Sequence, residues 1–258
     1  MLTSSASSLS KAYCCGKMAQ PHPPPSSMAQ PITIAPSTEA QQDGNLRHAL
    51  MEFYLNSIAK NSLILSPSDM KLMTRDEIWP TLYKFLKQKK SKSSLGDTSI
   101  VECRRKLKKL RATTKHLSKY LTQFGTIVHL DAEISLQKAS PIQLNYAIQV
   151  ERGEIDAVFV LKNEADVVTI VVIDWKRNLS NEKTLIQYKR QCQVYLRCLQ
   201  NEPSLIGLNR DSVKSAEMRV YLCEIGGNEA TKPTMVEVNT EPLEIDAFLE
   251  KAFEQFDS

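Results

Sequence analysis

The stretch GEIDAVFVLKNEADVVTIVVIDWK, residues 153–176, decides the fold class of this chain. It contains two apolar, β-branched runs, at residues 153–161 and 167–176, separated by the short polar segment KNEAD. Two such runs joined by a short turn predict a β-hairpin. The second run is apolar at almost every position before its end, which is typical of a strand that is buried on both faces.

Charged residues interrupt the apolar pattern at the open end of this hairpin. Asp156 stands alone among apolar residues, and Asp174 and Lys176 end the second run. Residues two apart on a strand point to the same side, and ionised groups at the end of a buried strand are costly unless they are paired or bind a metal. Two carboxylates at one end of a hairpin suit Mg²⁺ or Mn²⁺. The alternative interpretation is an ordinary Asp–Lys ion pair.

The remaining apolar patterns predict helices and strands around the hairpin. Helical spacing favours helices at residues 45–60, 184–200 and 244–256. Alternating or continuous apolar runs favour strands at residues 128–137, 142–150, 216–225 and 234–239. This order of elements predicts an α/β fold with a mixed sheet flanked by helices.

Two details of these elements are specific enough to be checked. The strand at residues 128–137 is expected to place its alternate apolar residues on one face, namely Val128, Leu130, Ala132, Ile134 and Leu136. The first helix has Asp43 and Asn45 as candidate N-caps.

Composition narrows the class of protein. The chain has 258 residues, 42% of them hydrophobic and 24% charged, which excludes collagen-like, wholly disordered and coiled-coil proteins. It has no apolar run long enough to span a membrane, so no membrane partner is expected. Its six cysteines are scattered without paired spacing, which favours a reducing compartment over secretion.

Residues 1–43 differ from the rest of the chain. They hold six of the twelve prolines among Ser, Ala and Gln, so we expect a disordered tail before a single domain at residues 44–258. The tail has no acidic residue before Glu39, a partial match to an organelle transit peptide, but it also lacks arginine. The expected location is therefore a mitochondrion or nucleus in a eukaryote, and the cytoplasm otherwise.

Positive charge is concentrated between Lys84 and Lys115. This segment has twelve Lys and Arg against Asp97 and Glu102, a net charge of +10, so the rest of the chain carries 4 − 10 = −6. Many cations on one segment favour contact with a nucleic-acid backbone, although a solvated basic helical region, 84–121, is the alternative. The candidate contact residues are Lys84, Lys87, Lys89, Lys90, Arg104, Arg105, Lys108, Lys109 and Arg111.

Four short motifs follow one another along the chain: G-x-x-x-H, G-x-x-D, D-x-K and Q-x-x-x-Y. Their residues are Gly44 to His48, Gly153 to Asp156, Asp174 to Lys176, and Gln191 to Tyr195. In this order they resemble the motifs of the RecB-like branch of the PD-(D/E)xK nuclease superfamily, which includes nucleases of the mitochondrial genome maintenance type. The resemblance covers about residues 44–200 and implies a restriction-endonuclease-like sheet.

The resemblance also implies roles for individual residues. The implied metal ligands for Mg²⁺ or Mn²⁺ are Asp156, Asp174, the backbone carbonyl of Trp175, His48 and Glu133. Asp131 competes with Glu133 because both lie on the polar face of the predicted strand. Lys176 would orient the attacking water, help to deprotonate it and stabilise the transition-state charge, while Gln191 and Tyr195 would support the site or touch the substrate. No iron–sulfur cluster is expected, because only Cys198 and Cys223 follow the last motif, far apart.

The expected function is hydrolysis of phosphodiester bonds in DNA, as an exonuclease on single-stranded ends or flaps. Three alternatives stay open: an endonuclease, an inactive DNA-binding module with a nuclease fold, and an interaction or capsid-type protein whose carboxylates are structural.

Overall fold

The computed structural model describes residues 2–5, 39–61, 84, 100–144, 147–225, 234–241 and 245–251 of the 258. The strands are β1 (Leu2–Ser5), β2 (Thr126–Ser135), β3 (Ile142–Gln143), β4 (Ala147–Arg152), β5 (Glu154–Lys162), β6 (Val168–Lys176), β7 (Glu217–Glu224) and β8 (Met235–Val238). The helices are α1 (Glu39–Asn61), α2 (Ile100–Leu121), α3 (Glu182–Asn201), α4 (Arg210–Ser215) and α5 (residues 245–251).

The described strands form two sheets. The larger has the order β2-β5-β6-β7-β8. Strands β2, β5 and β6 are successively antiparallel, α3 and α4 then cross over to β7, which runs parallel to β6, and β8 is antiparallel to β7. The smaller has the order β1-β4-β3. The prediction of a mixed sheet flanked by helices is confirmed.

The larger sheet separates two hydrophobic cores. Ile170 and Val172 of β6 face the α3-side core, which α3, α4 and α5 cover. Val171 and Ile173 face the α1-side core, which α1 and α2 cover. All four side chains have zero exposure, which confirms that this strand is buried on both faces. Burial of each such side chain stabilises the fold by about 1.5–3 kcal/mol.

Strand β2 does not keep its apolar residues on one face, and that prediction is wrong. A bulge between Ile127 and His129 leaves Val128 38% exposed. Leu130 then packs in the α1-side core, but Ile134 packs in the α3-side core. Glu133 lies between them with φ 55°, a left-handed conformation that breaks the alternation of the strand.

The N-terminal part of the domain also differs from the prediction. Helix α1 begins at Glu39, so Asp43 and Asn45 lie inside the helix and neither caps it. Within the residues expected to form the tail, Leu2–Ser5 form β1, which pairs in parallel with β4, and residues 39–43 belong to α1. Residues 6–38 of that tail lie outside the described residues.

The other elements follow their patterns with small shifts. Asn181 caps α3 through a side-chain bond from the Thr184 N–H, as its position before an apolar stripe favours. The predicted strand at residues 142–150 is two strands, because β3 turns back to pair antiparallel with β4. Across the described residues, no helix is long and apolar enough to cross a membrane.

Candidate active site

The open end of the β5–β6 hairpin brings the two predicted carboxylates together. The strands pair in register up to Ala157 opposite Ile173. One residue further along each strand stand Asp156 and Asp174, which therefore occupy opposite positions. We use "open end" for the end of the hairpin that carries Asp156, Asp174 and Lys176.

Asp174 is a buried carboxylate with an ammonium group beside it. Its side chain is 1% exposed, and Lys176 Nζ lies 2.5 Å from Asp174 Oδ2. This contact is an ion pair outside hydrogen-bond geometry, and neither oxygen of Asp174 has a well-aligned N–H or O–H donor among the described residues. Buried carboxylates are normally hydrogen-bonded, so the acceptor capacity of Asp174 is incompletely used.

Asp156 is held from two sides. The main-chain N–H of Trp175 donates to Asp156 Oδ2 at 2.6 Å. His48 Nδ1, on α1, lies 3.2 Å from Asp156 Oδ1. The indole of Trp175 packs in the α1-side core, which fixes this part of the backbone. The structure therefore joins three of the four sequence motifs at one place.

Burial and neighbouring charges shift the pKa values of these groups apart. Burial, with the charge of Asp156, raises the pKa of Asp174 to about 6 despite Lys176. Burial also favours a higher pKa for Asp156, but His48, Lys176 and the Trp175 N–H together lower it below its ordinary value. Burial would lower the pKa values of His48 and Lys176, and the carboxylates outweigh it and raise both. Asp156 is thus ionised and Lys176 protonated at neutral pH.

Helix α3 supplies the other wall of the site. Gln191 Nε2 donates to Tyr195 Oη at 2.5 Å, which joins the fourth motif into one unit. Burial, then the charge of Asp174, raises the pKa of Tyr195. The ring of Tyr188 lies 4.6 Å from Lys176 Nζ, a cation–π contact. The buried Cys192 thiol lies against Asp174; burial and that charge raise its pKa.

Tyr188 and Cys192 are site residues that the motifs did not single out. The signal for them was their spacing, because they lie on the same stripe of α3 as Tyr195 and that stripe faces the sheet. A stripe of this kind normally indicates only core packing, so their spacing does not predict a position beside Asp174.

Glu133 and Asp131 are separated by the distortion of β2. Glu133 lies between Ala132 and Ile134, which pair with Ala157 and Ile155, so its register position is opposite Asp156. Asp131 instead contacts His129, with Oδ2 2.7 Å from Nε2. Across the part of the chain described, no three His, Cys, Asp or Glu side chains are already arranged around one point as metal ligands.

A second charged cluster lies beside the open end, around Asp43 of α1. Its carboxylate contacts Arg47 Nε at 2.8 Å, Lys106 Nζ from α2, and Arg177 Nε at 3.4 Å. Arg47 also donates to the carbonyl of Ile225 at 2.8 Å. The cluster ties α1, α2 and the residue after β6 together, and the sequence did not predict it.

The predicted basic region is described only in part. Lys84 is exposed, and Arg104, Arg105, Lys108, Lys109 and Arg111 lie on α2, with side chains outside the described residues. Lys87, Lys89 and Lys90 also lie outside them. Lys106 of the same segment is 4% exposed and pairs with Asp43. Because Asp43 is five residues before His48 on α1, the Lys106 turn of α2 lies near the open end.

Comparison with models of known protein families finds no match to this chain, and comparison with curated proteins finds none either.

Proposed function

We propose that the chain is a metal-dependent nuclease that hydrolyses phosphodiester bonds of DNA, acting as an exonuclease on single-stranded ends or flaps. One observation carries this proposal: Asp156, Asp174 and Lys176 meet at the open end of a buried hairpin, with His48 beside them. The mixed sheet flanked by helices agrees with the restriction-endonuclease-like fold that the RecB-like motifs imply.

The donor groups of the open end fit a divalent metal ion. Among the described residues, the buried oxygens of Asp174 have no well-aligned donor. Burial and then the charge of Asp156 raise its pKa, so a cation would stabilise both carboxylates. Carboxylates and a backbone carbonyl suit Mg²⁺ or Mn²⁺. Asp156 and Asp174 would hold the ion, and His48, Glu133 and the Trp175 carbonyl are the further candidates. Such an ion would neutralise phosphate charge and lower the pKa of the attacking water.

Lys176 supplies a fixed positive charge. Its pKa is raised, so it is an ammonium group that donates hydrogen bonds and cannot accept a proton. The ring of Tyr188 and the carboxylate of Asp174 hold it in place. In phosphodiester hydrolysis, this group would orient the attacking water and stabilise the negative charge of the transition state. Gln191 and Tyr195 would support the site from the side of α3 that faces it.

Charge and position support DNA as the substrate. Helix α2 carries Arg104, Arg105, Lys108, Lys109 and Arg111 within about one and a half turns of Lys106, whose ammonium contacts Asp43. Since a DNA backbone is recognised by many cations in no particular order, these residues and Lys84 would guide a strand to the open end.

The test is cleavage of end-labelled single-stranded and duplex DNA by the full chain in Mg²⁺ or EDTA. The variants are Asp174→Asn and Asp156→Asn, and the matched control is Asp166→Asn, at the turn of the same hairpin with 82% exposure. We expect cleavage by wild type and the control in Mg²⁺ only, and none by the two site variants. The product ladder distinguishes exonuclease from endonuclease action.

An inactive DNA-binding module is the second candidate. The observation that favours it is that Lys176 and His48 already contact the two carboxylates, and that among the described residues no three His, Cys, Asp or Glu side chains are grouped as ligands of one ion. Salt-sensitive DNA binding that is equal in wild type, Asp174→Asn and Asp166→Asn, without cleavage in Mg²⁺ or Mn²⁺, would establish this candidate and reject the nuclease.

A further inference from the structure

Arg177 immediately follows Lys176 and points away from it. Lys176 lies over Tyr188 on the α3 side of the sheet, whereas Arg177 reaches Asp43 of α1 on the other side. Consecutive Cα atoms are about 3.8 Å apart, so two cations leave the end of β6 in opposite directions from almost the same point.

The three cations around Asp43 differ in exposure. The side chains of Arg47 and Lys106 are 9% and 5% exposed, while that of Arg177 is 53% exposed. Arg47 also holds the Ile225 carbonyl, so these two buried cations connect α1, α2 and the end of β7. Arg177 is the member of the cluster that solvent, and therefore a ligand, can reach.

Folding does not explain Arg177. Its contact with Asp43 is 3.4 Å long, and an exposed ion pair of this kind contributes little to stability. Asp43 is shared with two closer cations, so it does not neutralise Arg177 fully. It does restrain the guanidinium on the α1 side of the open end, which lowers the entropy lost when that group binds an anion.

We infer that Arg177 binds a DNA phosphate adjacent to the scissile one, and so positions the strand across the open end. The inference rests on the proposed nuclease function and adds a substrate contact to it. A guanidinium can bind two oxygens of one phosphate in a fork, which a lysine cannot. Lys176 then serves the reacting phosphate, Arg177 serves its neighbour, and Asp43 is a positioning residue for Arg177.

The test compares the Arg177→Gln and Arg177→Lys variants with Arg210→Gln as the matched control. Arg210 is exposed and begins α4, just before β7, whose first residues pair with Thr169 at the opposite end of β6 from Asp174. The substrates are a short single-stranded DNA and versions with one uncharged methylphosphonate linkage on either side of the cleaved bond.

We expect Arg177→Gln to cut the normal strand about tenfold more slowly than wild type, with Arg177→Lys intermediate and Arg210→Gln unchanged. Wild type should cleave one of the two methylphosphonate strands about as slowly as Arg177→Gln cleaves the normal strand. Arg177→Gln should cleave that methylphosphonate strand no more slowly than it cleaves the normal one. If the substitution and the methylphosphonate instead reduce the cleavage rate independently, so that their factors multiply, Arg177 does not bind that phosphate and the inference is overturned.

A binding measurement separates this inference from the proposed function. In Ca²⁺ without Mg²⁺, the slope of log affinity against log salt should fall by about 0.7 in Arg177→Gln and stay unchanged in Arg210→Gln. Cleavage by wild type with an unchanged slope in Arg177→Gln overturns the inference and leaves the nuclease. A wild type that neither cleaves nor binds DNA overturns both.

Discussion

The two ends of the β5–β6 hairpin carry the same pair of residue types in opposite environments. At the turn end, Lys162 Nζ lies 3.0 Å from Asp166 Oδ1, and the side chains are 43% and 82% exposed. At the open end, Lys176 pairs with Asp174 at 2.5 Å, and the exposures are 13% and 1%. The residue types alone therefore do not define a site.

The two ion pairs differ because solvent reaches the pair at the turn end and is largely excluded from the pair at the open end. At the turn end, solvent screens both charges, and such a pair contributes less than about 1 kcal/mol. At the open end, burial and the charge of Asp156 raise the pKa of Asp174 to about 6. An added cation would stabilise the ionised form of such a carboxylate. A pKa that is shifted by burial and a neighbouring charge is typical of a functional site.

The largest expected effect is on catalysis, and it separates the two lysines. Lys176→Gln should lower kcat for single-stranded DNA in Mg²⁺ by about 10²–10³, because it removes a charge aimed at the transition state. Lys162→Gln should change kcat by less than twofold. Single-turnover kinetics check this; equal rates in the two variants would remove Lys176 from the mechanism.

The next effect is on stability. Lys176→Met should lower the free energy of unfolding by about 3 kcal/mol in EDTA, since it leaves the buried Asp174 without its ammonium partner. Lys162→Met, at the exposed pair, should change it by less than about 0.5 kcal/mol. Urea denaturation of both variants measures the difference, and similar values would mean that the open end is no more buried in solution than the turn.

A metal ion should distinguish the two aspartates. Mn²⁺ at a hundred times its Kd should stabilise wild type by about 2.7 kcal/mol through linkage. Thermal unfolding should show the same gain in Asp166→Asn and none in Asp174→Asn. Stabilisation of all three proteins by the same amount would locate the ion away from the open end.

The turn end should affect stability without affecting chemistry. Gly125 has φ 111°, and a Cβ there would lie 2.2 Å from the Lys162 carbonyl oxygen. Gly125→Ala should therefore cost about 2 kcal/mol and leave kcat within twofold at a temperature where the protein stays folded. Gly44→Ala is the control: it lies within α1 with open space around it, so it should stabilise by about 0.5–1 kcal/mol.

The sequence predicted the hairpin and the meeting of Asp156 with Asp174, because both follow from local patterns. An apolar β-branched run defines the strand, a short turn defines the register, and the register sets which residues face each other. The buried stripe of α3 was predictable for the same reason.

Features that depend on distant contacts were not predictable. Asp43 had the residue type and position of a helix cap, but Arg47, Lys106 and Arg177 converge on it from three segments. The apolar side chains of β2 pack in the α1-side core before Glu133 and in the α3-side core after it, and the left-handed conformation of Glu133 makes this change of side possible. Period-two alternation contains no information on such a break, so it placed Glu133 and Asp131 on one polar face and could not decide which of the two lies opposite Asp156.

The most direct measurement is the rate at which the protein cleaves single-stranded DNA that carries one phosphorothioate at the scissile bond. Two such strands are compared, one for each configuration at phosphorus. If a metal held by the open end contacts this phosphate, sulfur in one configuration should slow cleavage at least about tenfold in Mg²⁺, and Mn²⁺, which accepts softer ligands, should restore most of the rate. Asp174→Asn should cut neither strand, and Asp166→Asn should behave as wild type. The same sulfur effect in both metals, or full activity in Asp174→Asn, would contradict a metal-dependent nuclease site at the open end.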